Sequence, residues 1–214
     1  MGTYVNPGTK NFAKDINDDF YVDKSMLIKV LNNRINRRNC YCCVSRPRRF
    51  GKTMAANMIA AYYSKGCDSH ELFSDLKISK DPSYEENINK YSVIQLDMND
   101  VVTRKGTSSV SSFINSIVVP ELREEYPSIN LMDNIDIPGA IQAIYKGTGD
   151  RFVFIIDEYD VIIRDQKYSS ELDGYLTFLV SLFKNSATAP AIALAYLTGI
   201  MPIIKEKTQS KLNN

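Results

Sequence analysis

Between residues 40 and 65 an apolar stretch, a short basic loop and an apolar helix follow one another without a gap. Cys40-Tyr41-Cys42-Cys43-Val44 reads as a buried strand. Arg46-Pro47-Arg48-Arg49-Phe50-Gly51-Lys52-Thr53 is a tight turn ending in Gly-Lys-Thr. Residues 54–65 form a helix that is apolar nearly all round, with Gly66 as its stop. A helix of that kind must be packed on most sides. Strand, tight loop and buried helix in this order belong on one rim of an α/β sheet, and the loop is a candidate phosphate cradle.

The rest of the chain repeats the alternation. Asp23 is the expected cap of a helix over 24–32. A second strand runs from Tyr91 to Met98, followed by a turn-rich loop over 103–107. A helix is expected over 108–126, kinked or split at Pro120. Pro138 opens a helix to Lys146, and Gly147 and Gly149 break the chain before a strand at 152–157. Residues 171–184 are helical, and 191–197 form a strand ending at Thr198-Gly199. Strands separated by helices argue a mostly parallel sheet with helices on both faces. Residues 1–20 read as a loose or partly ordered lead, 21–204 as one domain, and the polar 205–214 as a cut tail.

Charge is informative only locally. The net charge of +1 makes no bulk case for nucleic acid or a membrane surface. Yet Arg34, Arg37, Arg38, Arg46, Arg48, Arg49 and Lys52 fall together with no carboxylate among them. That zone suits a polyphosphate. No apolar run is long enough for a membrane span and no signal core opens the chain, so a cytoplasmic protein without a membrane partner is expected. Cys40, Cys42 and Cys43 are too crowded on one strand to pair, and a single histidine, His70, makes no metal cluster; reduced, buried thiols are expected.

The second chemical motif is Phe152-Val153-Phe154-Ile155-Ile156-Asp157-Glu158, an apolar strand ending in paired carboxylates. Asp157 and the Thr53 hydroxyl are the candidate magnesium ligands. Lys52 is the candidate cation for the β- and γ-phosphates, and Glu158 the candidate base for an attacking water. Thr198, at the end of the next strand, is a further catalytic candidate. The loop residues Arg46, Pro47, Arg48, Arg49, Phe50, Gly51, Lys52, Thr53 and Met54 form the nucleotide cradle. Arg46 stands where a phosphate loop usually has its first glycine. Asp97, Asn99 and Asp100 end the second strand on the same rim and read first as a capped loop.

Phe20-Tyr21-Val22-Asp23-Lys24-Ser25, Ser45 to Thr53, Ile155-Ile156-Asp157-Glu158-Tyr159-Asp160 and Tyr196-Leu197-Thr198-Gly199-Ile200 together resemble the predicted AAA-ATPase-like family of bacterial P-loop NTPases. The resemblance implies a three-layer P-loop NTPase fold, with ATP and Mg2+ as ligands and the roles just given to Lys52, Thr53, Asp157 and Glu158. It makes the Arg-Pro-Arg-Arg-Phe-Gly-Lys-Thr loop a family trait and borders the base with Lys24. It also implies a C-terminal PD-(D/E)XK nuclease-like domain in longer members.

Mg2+-dependent ATP hydrolysis is the leading expectation. A nucleotide-gated switch with negligible turnover, its state read by a further domain, is the first alternative. Binding of nucleic acid through Arg34 to Arg49 is the second. Arg104, Arg151 and Arg164 are the candidates for an arginine finger, which a homo-oligomer would otherwise supply in trans.

Overall fold

The computed structural model describes residues 2–201; the 205–214 tail lies outside the described residues. Four strands form one all-parallel sheet in the order β1-β4-β3-β2. They are β1 (Tyr41–Ser45), β2 (Ser92–Asp97), β3 (Phe152–Asp157) and β4 (Ile192–Gly199). Parallel pairing puts every C-terminal strand end on one rim. Ser45 is opposite Gly199, and Asp97 is opposite Asp157.

Both faces are covered, giving three layers. On one face lie α1 (Lys10–Ile16), α2 (Met26–Asn32) and α3 (Lys52–Tyr63), which pack on Val153, Ile155, Leu194 and Tyr196. On the other lie α6 (Met98–Arg104), α7 (Val110–Glu125), α8 (Ile137–Thr148) and α10 (Leu172–Phe183), over Phe152, Phe154, Ile156 and Leu197. The two residue sets alternate along each strand, as the two-residue repeat of a strand requires. All six residues of β3 are buried, which accounts for its unbroken apolar run. Short helices α4 (His70–Phe73), α5 (Tyr84–Asn87) and α9 (Val161–Arg164) fill the connections.

Several expectations are corrected. The segment before residue 21 is packed rather than loose. Val5 bridges Ile94 antiparallel and covers the outer edge of β2, while Phe12 of α1 is buried against Phe73. The cap of α2 is Ser25, not Asp23. The Asp23 carboxylate instead accepts the Ser25 and Lys77 amides. Helix α6, capped by Asp97 through the Asn99 amide, runs on through Thr103 and Arg104, so the expected loop at 103–107 is confined to 105–107. Pro120 does not split α7. It and Ser116, whose carbonyl loses its helical donor, both lie on the exposed side of the helix. Cys43 is exposed although Cys40 and Cys42 are buried; all four cysteines are free. Among the described residues no helix is long and apolar enough to cross a membrane.

Candidate functional site

The loop after β1 starts as a continuation of the sheet, the Arg46 amide donating to the Gly199 carbonyl at 3.0 Å. It then turns sharply. Positive φ falls at Arg49 (+68°) and Gly51 (+70°), not at Arg46. The position that usually carries glycine therefore makes no left-handed demand here, and arginine sits there without strain. At Gly51 the backbone runs close under Lys24. A Cβ would meet the Lys24 ammonium at 2.7 Å, and that ammonium donates to the Phe50 carbonyl at 2.8 Å.

Gly51 is also the N-cap of α3 and has no side chain to cap it. The first intrahelical bond is that of Ala55 to Gly51. The amides of Lys52, Thr53 and Met54 are thus left pointing out of the helix N-terminus, where the helix dipole favours an anion. Nine of the twelve α3 residues are buried, Lys52 among them.

The side chains close on the strand tips. The Thr53 hydroxyl donates to Asp157 Oδ2 at 2.6 Å. Asp157 Oδ1 accepts the Glu158 amide at 3.0 Å and the hydroxyl of Thr198. Asp157 and Thr198 are both buried. The Lys52 ammonium donates to the Arg46 carbonyl (3.2 Å) and the Pro47 carbonyl (3.3 Å) and forms an ion pair with Glu158 Oε1 at 3.2 Å. Lys52, Thr53, Asp157, Glu158 and Thr198 thus form one connected polar set, from two strand ends and one helix N-terminus.

The family model for predicted AAA-ATPases matches residues 6–208. The chain belongs to the predicted AAA-ATPase family. It is also similar to an uncharacterized protein in the vnfD 5′ region of Azotobacter chroococcum mcd 1, 23% identical over 213 residues. That alignment covers 97% of this chain and 39% of the relative, so the chain spans about two-fifths of that protein's length.

Within this predicted AAA-ATPase domain the remaining candidates divide. Phe50 is 59% exposed and lines a cavity of about 320 Å³ with Phe20, Tyr21, Val22, Lys24 and Met54. Arg48 and Arg49 are exposed on the same loop. Arg37 and Arg38 are not beside them. They precede β1, at the opposite rim, because five residues of strand carry the chain roughly 15–20 Å from one end to the other. The single basic zone of the sequence is two zones in space. Arg151 likewise precedes β3, roughly 20 Å of strand away from Asp157, and Arg104 pairs with Asp100 and Tyr4.

Two residues that sequence reasoning undervalued stand beside Glu158. Arg164 Nη1 lies 2.9 Å from Glu158 Oε2 and 2.9 Å from Asp160 Oδ1. The other Asp160 oxygen accepts the Ile200 and Met201 amides at 3.1 and 2.8 Å. Burial pulls the Arg164 guanidinium down, but Glu158 and Asp160 more than offset it and hold it above its ordinary value. The i, i+4 spacing of Asp160 and Arg164 was the available signal. Asp97 caps α6 and its carboxyl is raised, first by burial and then by the neighbouring Asp157 charge.

Proposed function

We propose that this domain binds ATP with Mg2+ on the C-terminal rim of the sheet and hydrolyses it to ADP and phosphate. The observation that carries the reading is the connected set itself: residues a hundred positions apart meet through the Thr53–Asp157 and Lys52–Glu158 contacts. The open amides at the start of α3 and the buried ammonium of Lys52 suit a polyphosphate. A hydroxyl and a carboxylate side by side suit Mg2+, which takes few protein oxygens and keeps phosphate and water ligands. Thr53 and Asp157 would hold that ion, which supplies charge neutralisation on the phosphate oxygens.

Each residue then has a task. Lys52 leaves the Arg46 and Pro47 carbonyls for phosphate oxygens. Glu158 accepts the proton of a water as that water's oxygen bonds to the γ-phosphorus and the bond from phosphorus to the ADP oxygen breaks. Thr198 acts through Asp157, to which its hydroxyl is committed, and not as a direct contact to phosphate. The cavity beside Phe20, Lys24 and Phe50 is the place for the base. The reading puts the protein in the cytoplasm, in keeping with four free thiols.

The test is a melting series without ligand, with Mg-ATP and with Mg-GTP. At a hundred times Kd, binding stabilises by about 2.7 kcal/mol, a rise of about 5–11 °C for a domain of this size. Lys52→Ala is expected to lose the shift, and Glu158→Gln to keep it while losing turnover. No shift with either nucleotide would overturn the proposal. Turnover rising steeply with protein concentration would point to an oligomer supplying an arginine in trans.

A further inference from the structure

Glu158 is held from two sides. One carboxylate oxygen faces Lys52 at 3.2 Å and the other faces Arg164 at 2.9 Å. Its backbone is fixed as well: φ is +51°, a left-handed conformation for a residue with a side chain, and its amide is bonded to Asp157. Neither cation is on the surface, the side chains of Lys52 and Arg164 being 7% and 18% exposed.

The two partners differ in what a phosphate would do to them. Lys52 opens α3 behind the loop and is drawn to any anion seated on the helix N-terminus. Arg164 ends α9 and is tied down elsewhere. Its Nη1 is shared with Asp160, which is 1% exposed and fastened to the amides after β4. Gly199 runs close to that carboxylate, leaving no room for a side chain, since a Cβ there would fall 2.7 Å from Asp160 Oδ1. When Lys52 moves to phosphate, Oε1 of Glu158 is released and Oε2 stays bound.

We propose that Arg164 is a positioning residue for Glu158: braced by Asp160, it keeps Oε2 occupied and leaves Oε1 as the oxygen that meets the attacking water. The inference rests on the proposed role of Glu158 as the base. Arg164 is therefore distinct from an arginine finger, because it touches the carboxylate and not the phosphate.

The experiment is a cycle of ATP turnover with Arg164→Ala, Glu158→Gln and the double variant, with Arg164→Lys as the conservative control. A misplaced base costs about a hundredfold, so Arg164→Ala is expected to lower kcat by about ten- to a hundredfold with KM and the ATP melting shift little changed. Lysine, which keeps a cation beside the buried Asp160 and so protects the fold, is expected to recover part of kcat. In the Glu158→Gln background, loss of Arg164 is expected to change turnover no further. Equal factors in both backgrounds would make Arg164 merely structural and overturn the inference. So would wild-type turnover in Arg164→Ala while Glu158→Gln is slow, an outcome that leaves the base in place. Undiminished turnover in Glu158→Gln would instead remove the base reading, and this inference with it.

Discussion

Thr198→Val tests how far the site depends on the buried acceptor Asp157. Valine has nearly the shape of threonine, so the change deletes one hydroxyl and opens no cavity. That hydroxyl is fully buried and donates to Asp157 Oδ1, one of three donors this carboxylate has, with the Thr53 hydroxyl at 2.6 Å and the Glu158 amide at 3.0 Å. A hydrogen bond to a charged group contributes about 1.5–3 kcal/mol. For a domain of about two hundred residues each kcal/mol is about 2–4 °C, so the melting temperature without nucleotide is expected to fall by about 3–12 °C. Thr53 makes the matching bond from an exposed position, and Thr53→Val is expected to cost less. The decisive measurement repeats Thr198→Val in an Asp157→Asn background. A neutral acceptor makes a bond roughly half as strong, so the cost of losing the hydroxyl should roughly halve. A fall of under 1 °C in the single variant, or strict additivity in the double, would refute the reasoning.

Four further outcomes are expected. Asp97 has a folded pKa raised above its unfolded value, so its charged form is disfavoured in the folded state once pH rises through the folded value. Asp97→Asn, which still caps α6, is expected to be more stable than wild type at neutral pH in urea titrations, the gain fading on acidification. Asp81 has the opposite sign: Lys29, then Ser83, pull it from its ordinary value to about 2. Its stabilisation is present above the unfolded pKa of about 3.9 and lost as pH falls toward the folded one, so the gap between wild type and Asp81→Asn should close in acid. Asn6→Ala leaves the buried Val93 amide without its 2.8 Å acceptor and puts alanine at φ +47°, at an expected cost of about 2–4 kcal/mol by urea unfolding. Finally, Glu158→Gln is expected to bind ATP about five- to thirtyfold tighter than wild type by titration. The equivalent of about 1–2 kcal/mol no longer goes into parting Lys52 from a half-buried carboxylate.

The sheet was legible because its signals are local. β3 is a five-residue apolar run, Phe152 to Ile156, between glycines and carboxylates, and the strand forms at 152–157 as expected. α3 was legible because only a helix packed on most sides is apolar all round. The lead was misread because Val5 and Phe12 are single apolar anchors in a polar stretch, and their value lies in partners, Ile94 and Phe73, far along the chain. α6 was missed because Asp97, Asn99 and Asp100 read as a capped loop at the end of a strand, whereas the Asp97 carboxylate caps a helix through Asn99. The arginine zone shows the limit of linear reading. Seven cations adjacent in sequence are cut into two groups by the length of one strand. At the site, sequence could name Lys52, Thr53, Asp157 and Glu158, but not that Thr198 spends its hydroxyl on Asp157 or that Arg164 grips Glu158. Those depend on which way side chains turn at the strand ends.

A site whose charges already satisfy one another has a consequence for how nucleotide enters it. Lys52 is engaged before any ligand arrives: it donates to two carbonyls of its own loop and pairs with one glutamate oxygen. A phosphate must therefore exchange for those contacts, and the exchange is favourable only because a polyanion offers charge where the two carbonyls offer dipoles. The same exchange frees one oxygen of Glu158. On the proposed reading, anion capture and release of the base are thus one event, linked through a single ammonium. A ligand too weakly charged to draw Lys52 from Glu158 would leave that oxygen occupied, so under the proposed function the same pairing disfavours weakly charged ligands.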